Sequence, residues 1–102
     1  MKNENLRVLK GKVFSDCNPE NAFWACNGDI LRNLYELLNH IKKADEWTFK
    51  YHVNDDNQKN DFTKWIRDVF SDNRLADELE NVKDRNKYIQ VLQRRIRQLE
   101  AA

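Results

Sequence analysis

The sequence predicts an all-α fold, a compact bundle of about five short helices behind an N-terminal extension or short strand. Three observations lead there. Only two glycines and one proline interrupt 102 residues, so few positions break a helix. Leu, Lys, Glu, Arg and Gln, all good helix formers, are abundant. Apolar residues recur at three- and four-residue spacing in one segment after another, as on helices with one buried face.

The chain divides into an extension, residues 1–19, and a helical domain, residues 20–102. In the extension, LRVLKGKVF mixes apolar and basic residues around a glycine. It reads as a short strand, Leu6 to Phe14, or as a flexible segment. A lone strand is not stable by itself and must dock or stay mobile. Pro19 punctuates the chain, and NPENAF fits one short helical turn.

Asn27-Gly28-Asp29 then supplies turn and cap residues. Ile30, Leu31, Leu34, Leu37, Leu38 and Ile41 form the apolar stripe of the first long helix. Asp45 can cap the second helix, with Trp47, Phe49, Tyr51 and Val53 facing inward. The polar run NDDNQKN ends it. Asn60 or Asp61 caps the third helix, whose apolar set is Phe62, Trp65, Ile66, Val69 and Phe70. Ser71-Asp72-Asn73 is the next cap-and-turn cluster. The fourth helix carries Leu75, Ala76, Leu79 and Val82. Asp84 caps the last helix, with Tyr88, Ile89, Leu92, Ile96 and Leu99 on its stripe. That helix holds no Gly or Pro and could project to meet a partner. The five stripes differ in length and residue type, so no internal repeat is evident.

Eighteen basic and 17 acidic residues leave a net charge of +1, so global charge favours neither nucleic acid nor a membrane surface. No apolar run approaches the roughly 18–20 residues of a membrane span. The start, MKNENLRVLKGKVF, lacks a signal-peptide core and cleavage site. The expected location is cytoplasmic, with Cys17 and Cys26 as reduced thiols.

The segments FWACNGDILRNLYELL, TFKYHVN and NDFTKWIRDVFSDNRLADEL resemble a small domain family of archaeal and bacterial proteins, a domain of unknown function. The resemblance covers roughly residues 20–97. Its most specific part joins Thr48, Phe49, Tyr51, His52 and Val53 to Asn60, Asp61, Phe62 and Trp65. It implies a small helical fold and no particular chemistry.

Four groups of residues could carry a function. His52 ends one helix and Asn60-Asp61 begin the next, so a short loop brings them together. The imidazole could donate to Asp61 or accept from the Asn60 amide. Such a clasp suits a helix joint, and also a site for a partner or small ligand. No Ser or Cys nucleophile is set beside the pair by any motif, so no hydrolase is implied.

A metal is the second reading. Asp55, Asp56, Asn57 and Asp61 offer oxygen ligands, but Lys59 and Asn60 stand where a calcium loop needs an acidic residue and a glycine. Cys17, Cys26, His40 and His52 match no paired zinc spacing. Neither a metal nor another cofactor is expected. The third group, Lys83, Arg85, Lys87, Arg94, Arg95 and Arg97, could contact phosphates or simply form a solvated helix face. The fourth is the aromatic set. Neighbours on the chain point different ways, so the pair Phe23-Trp24 should straddle core and surface. The expected function is a non-catalytic protein-interaction or adaptor module, or one that self-associates. Its residues would be Trp24, His52, Asn60 and Asp61. Nucleic-acid binding through the basic helix is the alternative, and no membrane role is expected.

Overall fold

A computed structural model describes residues 5–102. Among them stand six α-helices: α1 (Leu6–Phe14), α2 (Leu34–Lys43), α3 (Glu46–His52), α4 (Asp61–Trp65), α5 (Asn73–Leu79) and α6 (Arg85–Glu100). Two short antiparallel hairpins lie between them. In one, β1 (Phe23–Trp24) pairs with β2 (Ile30–Leu31). In the other, β3 (Val53–Asn54) pairs with β4 (Lys59–Asn60). The fold is mainly helical, as expected, but it is not a pure bundle.

Caps mark the helix starts. The side chains of Asn5, Asn33, Asp45, Asn60, Asp72 and Asp84 each accept from a backbone N–H in the first turn of the helix that follows. Each satisfies a donor that the helix itself cannot. α4 continues as a π-helix over Ile66–Phe70, which Ser71 ends in the left-handed region at φ 59°.

Several expectations need correction. The stretch Leu6 to Phe14 is a helix and not a strand. Leu6, Leu9 and Val13 share one face at helical spacing, and Val13 is fully buried in the common core. Val8 points outward at 51% exposure, which breaks the strand-like alternation. Next, Ile30 and Leu31 lie on a strand and not on the first turn of α2. Gly28 takes φ 94°, and Ala25 donates to the Asp29 carbonyl, so Asn27-Gly28-Asp29 closes a hairpin. Asn33 then caps α2, while Glu36 turns back to accept from the N–H of Arg32, the residue before the cap, at 2.8 Å. Finally, Trp47 and Tyr51 face outward, at 69% and 48% exposure. They sit four apart on α3, opposite the buried Thr48, Phe49 and His52.

α6 does not project. Its buried face, Tyr88, Val91, Leu92, Ile96 and Leu99, packs against α1, α2 and α5. α1 docks beside its end, where the Lys10 ammonium donates to the carbonyls of Glu100 and Ala102. Phe14 stacks on Tyr35 with ring centroids 4.4 Å apart.

One ion pair lies inside this core. Asp72 is fully buried and Arg95 is 3% exposed. Arg95 Nε donates to Asp72 Oδ2 at 3.0 Å, and Nη2 donates to Oδ1 at 2.8 Å. Nη1 donates to Gln98 at 2.6 Å. Asp72 also caps α5, so one carboxylate joins the start of α5 to the middle of α6.

Replacing Arg95 by Met leaves the buried Asp72 carboxylate without its charge partner. The expected loss is about 3–5 kcal/mol, a fall in melting temperature of more than about 10 °C for a domain this size. The double variant Asp72→Asn/Arg95→Met should lose less than the two single losses added together. Thermal melts of the three variants decide this, and a shift under about 5 °C for Arg95→Met counts against the pair.

Candidate functional site

α3 ends on His52, the β3–β4 hairpin reverses the chain, and Asn60 caps α4. Gln58, at φ 48°, and a bond from its N–H to the Asp55 carbonyl close the turn. This short reversal brings His52 and Asp61 together, as the sequence suggests. The Nδ1 and Oδ2 atoms lie 2.9 Å apart. The other ring nitrogen has a partner that the sequence does not disclose. His52 Nε2 accepts the backbone N–H of Cys26 at 3.0 Å. An accepting Nε2 leaves the proton on Nδ1, so the imidazole is neutral and donates to Asp61.

Asn60 does not reach the imidazole. Its Oδ1 accepts from the Thr63 N–H at 3.3 Å and from the Tyr88 hydroxyl at 2.8 Å. Its amide donates to the carbonyls of Leu79, at 2.9 Å, and Glu80, at 3.3 Å. One amide therefore ties α4 to α6 and to the end of α5. Burial pushes the Tyr88 phenol well above its ordinary pKa, so it stays a hydrogen-bond donor.

A second pair repeats the first. His40 is 1% exposed, and its Nδ1 lies 2.9 Å from Asp29 Oδ2. Its Nε2 is buried with no hydrogen-bond partner among the described residues. The His40 and His52 rings both pack on Phe62, at centroid distances of 5.8 and 5.2 Å. The sequence offered only a faint signal for this pair. Asp29 reads as a turn residue, and His40 lies eleven positions away.

Cys26, His52 and Asp61 are the residue types of a nucleophilic triad. Their bonding is not that of one. The lone pair of His52 Nε2 is taken by a backbone N–H, while the Cys26 thiol lies 3.9 Å from the Thr48 carbonyl. Desolvation of the sulfur raises the thiol above its ordinary pKa, and the charge of Asp45 adds to this.

Trp24 is 70% exposed, while its neighbour Phe23 packs its ring 5.0 Å from Phe62. The pair divides between surface and core as the alternation implies. Trp24, His52 and Asp61 line one cleft of about 420 Å³ between the first hairpin and α4. Asn60 and Asp61 line a neighbouring hollow of about 670 Å³. The larger hollow is balanced in charge, with Asp55, Asp61, Asp68 and Glu80 facing Lys59, Lys64, Arg67 and Lys83.

The six basic residues of the C-terminal region do not form one surface. Arg95 is buried on Asp72, which removes it from any phosphate contact. Arg85 donates to the carbonyls of Ile41 and Lys42 and so closes the end of α2. Lys83 lies 3.8 Å from Asp55, and Arg94 lies 3.6 Å from Glu78. Only Lys87 and Arg97 of the six are exposed with no ion pair among the described residues. Among the described residues no group of three or more His, Cys, Asp or Glu could hold a metal ion. No helix there is long and apolar enough to cross a membrane. Comparisons with protein-family models, curated proteins and solved structures give no match to this chain.

Two measurements follow from the joint. Asn60→Ala removes four side-chain hydrogen bonds, the α4 cap among them, and should cost about 2 kcal/mol or more in a thermal or urea melt. Burial lowers the His52 pKa below 6.5, although Asp61 pulls it upward. The unfolded chain then takes up a proton more readily than the folded one. Stability from this group is full above about pH 6.5 and falls as the pH drops toward the folded pKa. His52→Gln should flatten the melting-temperature profile as the pH drops below about 6.5. Asp29 acts in a separate window, because its bond to His40 holds its carboxyl below 3.8.

Proposed function

We propose that this domain is a non-catalytic protein-interaction module that docks partners through aromatic side chains around the His52–Asp61 joint. The observation that carries this reading is the exposure of Trp24 and Trp47, at 70% and 69%. The core takes in Phe49, Phe62, Trp65, Phe70 and Tyr88. Leaving two indoles in water therefore forfeits apolar burial that other aromatics obtain. Trp is a preferred anchor at protein interfaces.

The aromatics stand on connected elements. Trp47 and Tyr51 contact each other on the outer face of α3, with centroids 5.8 Å apart. The Lys59 ammonium sits 4.3 Å from the Tyr51 ring centroid. Trp24 belongs to the hairpin that the Cys26 N–H bonds to His52 at the end of α3. The joint thus acts as a rigid mount, and the indoles as its contact points.

The same reading includes a cytoplasmic location and kinship with the small helical domains that the TFKYHV and NDFTKW segments resemble. In its support, Phe49, His52, Val53, Asn60, Asp61, Phe62 and Trp65 gather at or beneath the joint. Nucleic-acid binding has weaker support, because the six basic side chains are dispersed, paired or buried.

Selection of displayed peptides on the domain tests the proposal. Enriched peptides should bind Trp24→Ala/Trp47→Ala at least about tenfold more weakly than the wild type. The melting temperature of this variant should change little, because both side chains are exposed. Peptides insensitive to both substitutions, or no enrichment at all, would overturn it. Sedimentation velocity over a concentration series checks whether the partner is a second copy of the chain.

A further inference from the structure

The cleft under Trp24 differs from the larger hollow beside it in charge and in floor. Phe23, Trp65 and Val69 make an apolar base. Trp65 is only 7% exposed, and its Nε1 donates to the Asn21 carbonyl at 2.7 Å. Phe23 meets its ring edge-on at 5.7 Å. These contacts fix the base before any ligand arrives.

Three carboxylates, Glu20, Asp61 and Asp68, stand around this base against one cation, Lys64. His52 adds no positive charge while its Nε2 accepts the Cys26 N–H. Asp61 already serves His52 and Lys59. Glu20 and Asp68 are exposed and have no ion pair among the described residues. The cleft is thus net negative, with two uncommitted carboxylates and an exposed indole in its lining. The neighbouring hollow, with four side chains of each sign, has no such preference.

An arginine matches this arrangement. Its guanidinium can pair with a carboxylate and stack on an indole, while its methylene stem covers apolar surface. At about 420 Å³ the cleft is within the size range of sites that enclose a side chain or small ligand. We infer that this cleft receives an arginine side chain from a basic segment of a partner protein, stacked on Trp24 and paired with Glu20 and Asp68. The inference rests on the reading of the domain as an interaction module and names the chemistry of its partner.

The test uses four capped pentapeptides, Gly-Ser-X-Ser-Gly with Arg, Lys, Leu or Glu at X, titrated into the full chain. The indole N–H resonances of Trp24 and Trp65 are followed by NMR. The Arg peptide should shift both, the Lys peptide should act more weakly, and the Leu and Glu peptides should leave them in place. The double variant Glu20→Gln/Asp68→Asn should weaken Arg-peptide binding about five- to tenfold. The charge-matched control Glu46→Gln/Asp56→Asn should not. Equal shifts from the Leu or Glu peptide would overturn the arginine preference while leaving a peptide-docking face intact. An unchanged affinity in the Glu20/Asp68 variant would overturn it as well. No shift from any of the four peptides would also sink the inference, and peptide selection on the Trp24/Trp47 variant then reports separately on the wider interaction reading.

Discussion

Two adjacent side chains at the start of α4 hold much of the molecule together. Asn60 bonds α4, α6 and the end of α5. Asp61 accepts from His52, and His52 in turn holds the Cys26 N–H of the first hairpin. Each neutral hydrogen bond contributes only about 0.5–1.5 kcal/mol net. Their weight comes from what removal would leave behind, since buried polar atoms without partners are costly. A domain of 102 residues has little surplus burial to offset such losses.

The aromatic packing beneath depends on this polar layer. Phe62 is fully buried and touches Phe23, His40, His52 and Tyr88 with centroids 5.0 to 6.1 Å away. Three of those four rings carry a polar atom. Each can pack its body against Phe62 only if its tip finds a partner at the rim. Asp29, Asp61 and Asn60 supply those partners. His40 Nε2 is the exception, and it marks the least satisfied point of the joint among the described residues. The Asp72–Arg95 pair does comparable work farther along α6, where a carboxylate that caps one helix also neutralises a cation buried on the next.

This division of labour explains why the exposed face differs from the core. His52, Asn60 and Asp61 are occupied with internal bonds, so the residues legible as a polar site serve first as a frame. On the proposed reading, the groups left for a partner are those the frame does not use: the exposed side chains of Trp24, Trp47 and Tyr51, and the carboxylates of Glu20 and Asp68. A packed base beside an exposed indole would lower the entropy cost of such docking, because little must be ordered on contact.

The sequence by itself determined the helical character, the caps from Asp45 onward and the core stripes of α2, α4, α5 and α6. Caps and stripes are local: Asp45, Asn60, Asp72 and Asp84 act on N–H groups three residues away, and Leu75, Ala76 and Leu79 lie on one helix. The meeting of His52 with Asp61 was legible for the same reason, since one short loop separates them. Other features depended on contacts distant in the chain. Cys26 lies 26 residues from His52, and Asp72 lies 23 from Arg95. Only tertiary structure made Arg95 a core residue, turned Ile30 and Leu31 into a strand and left Trp47 in water. The physical reason is that periodicity states which residues share a face, while only the packed neighbours decide whether that face is covered.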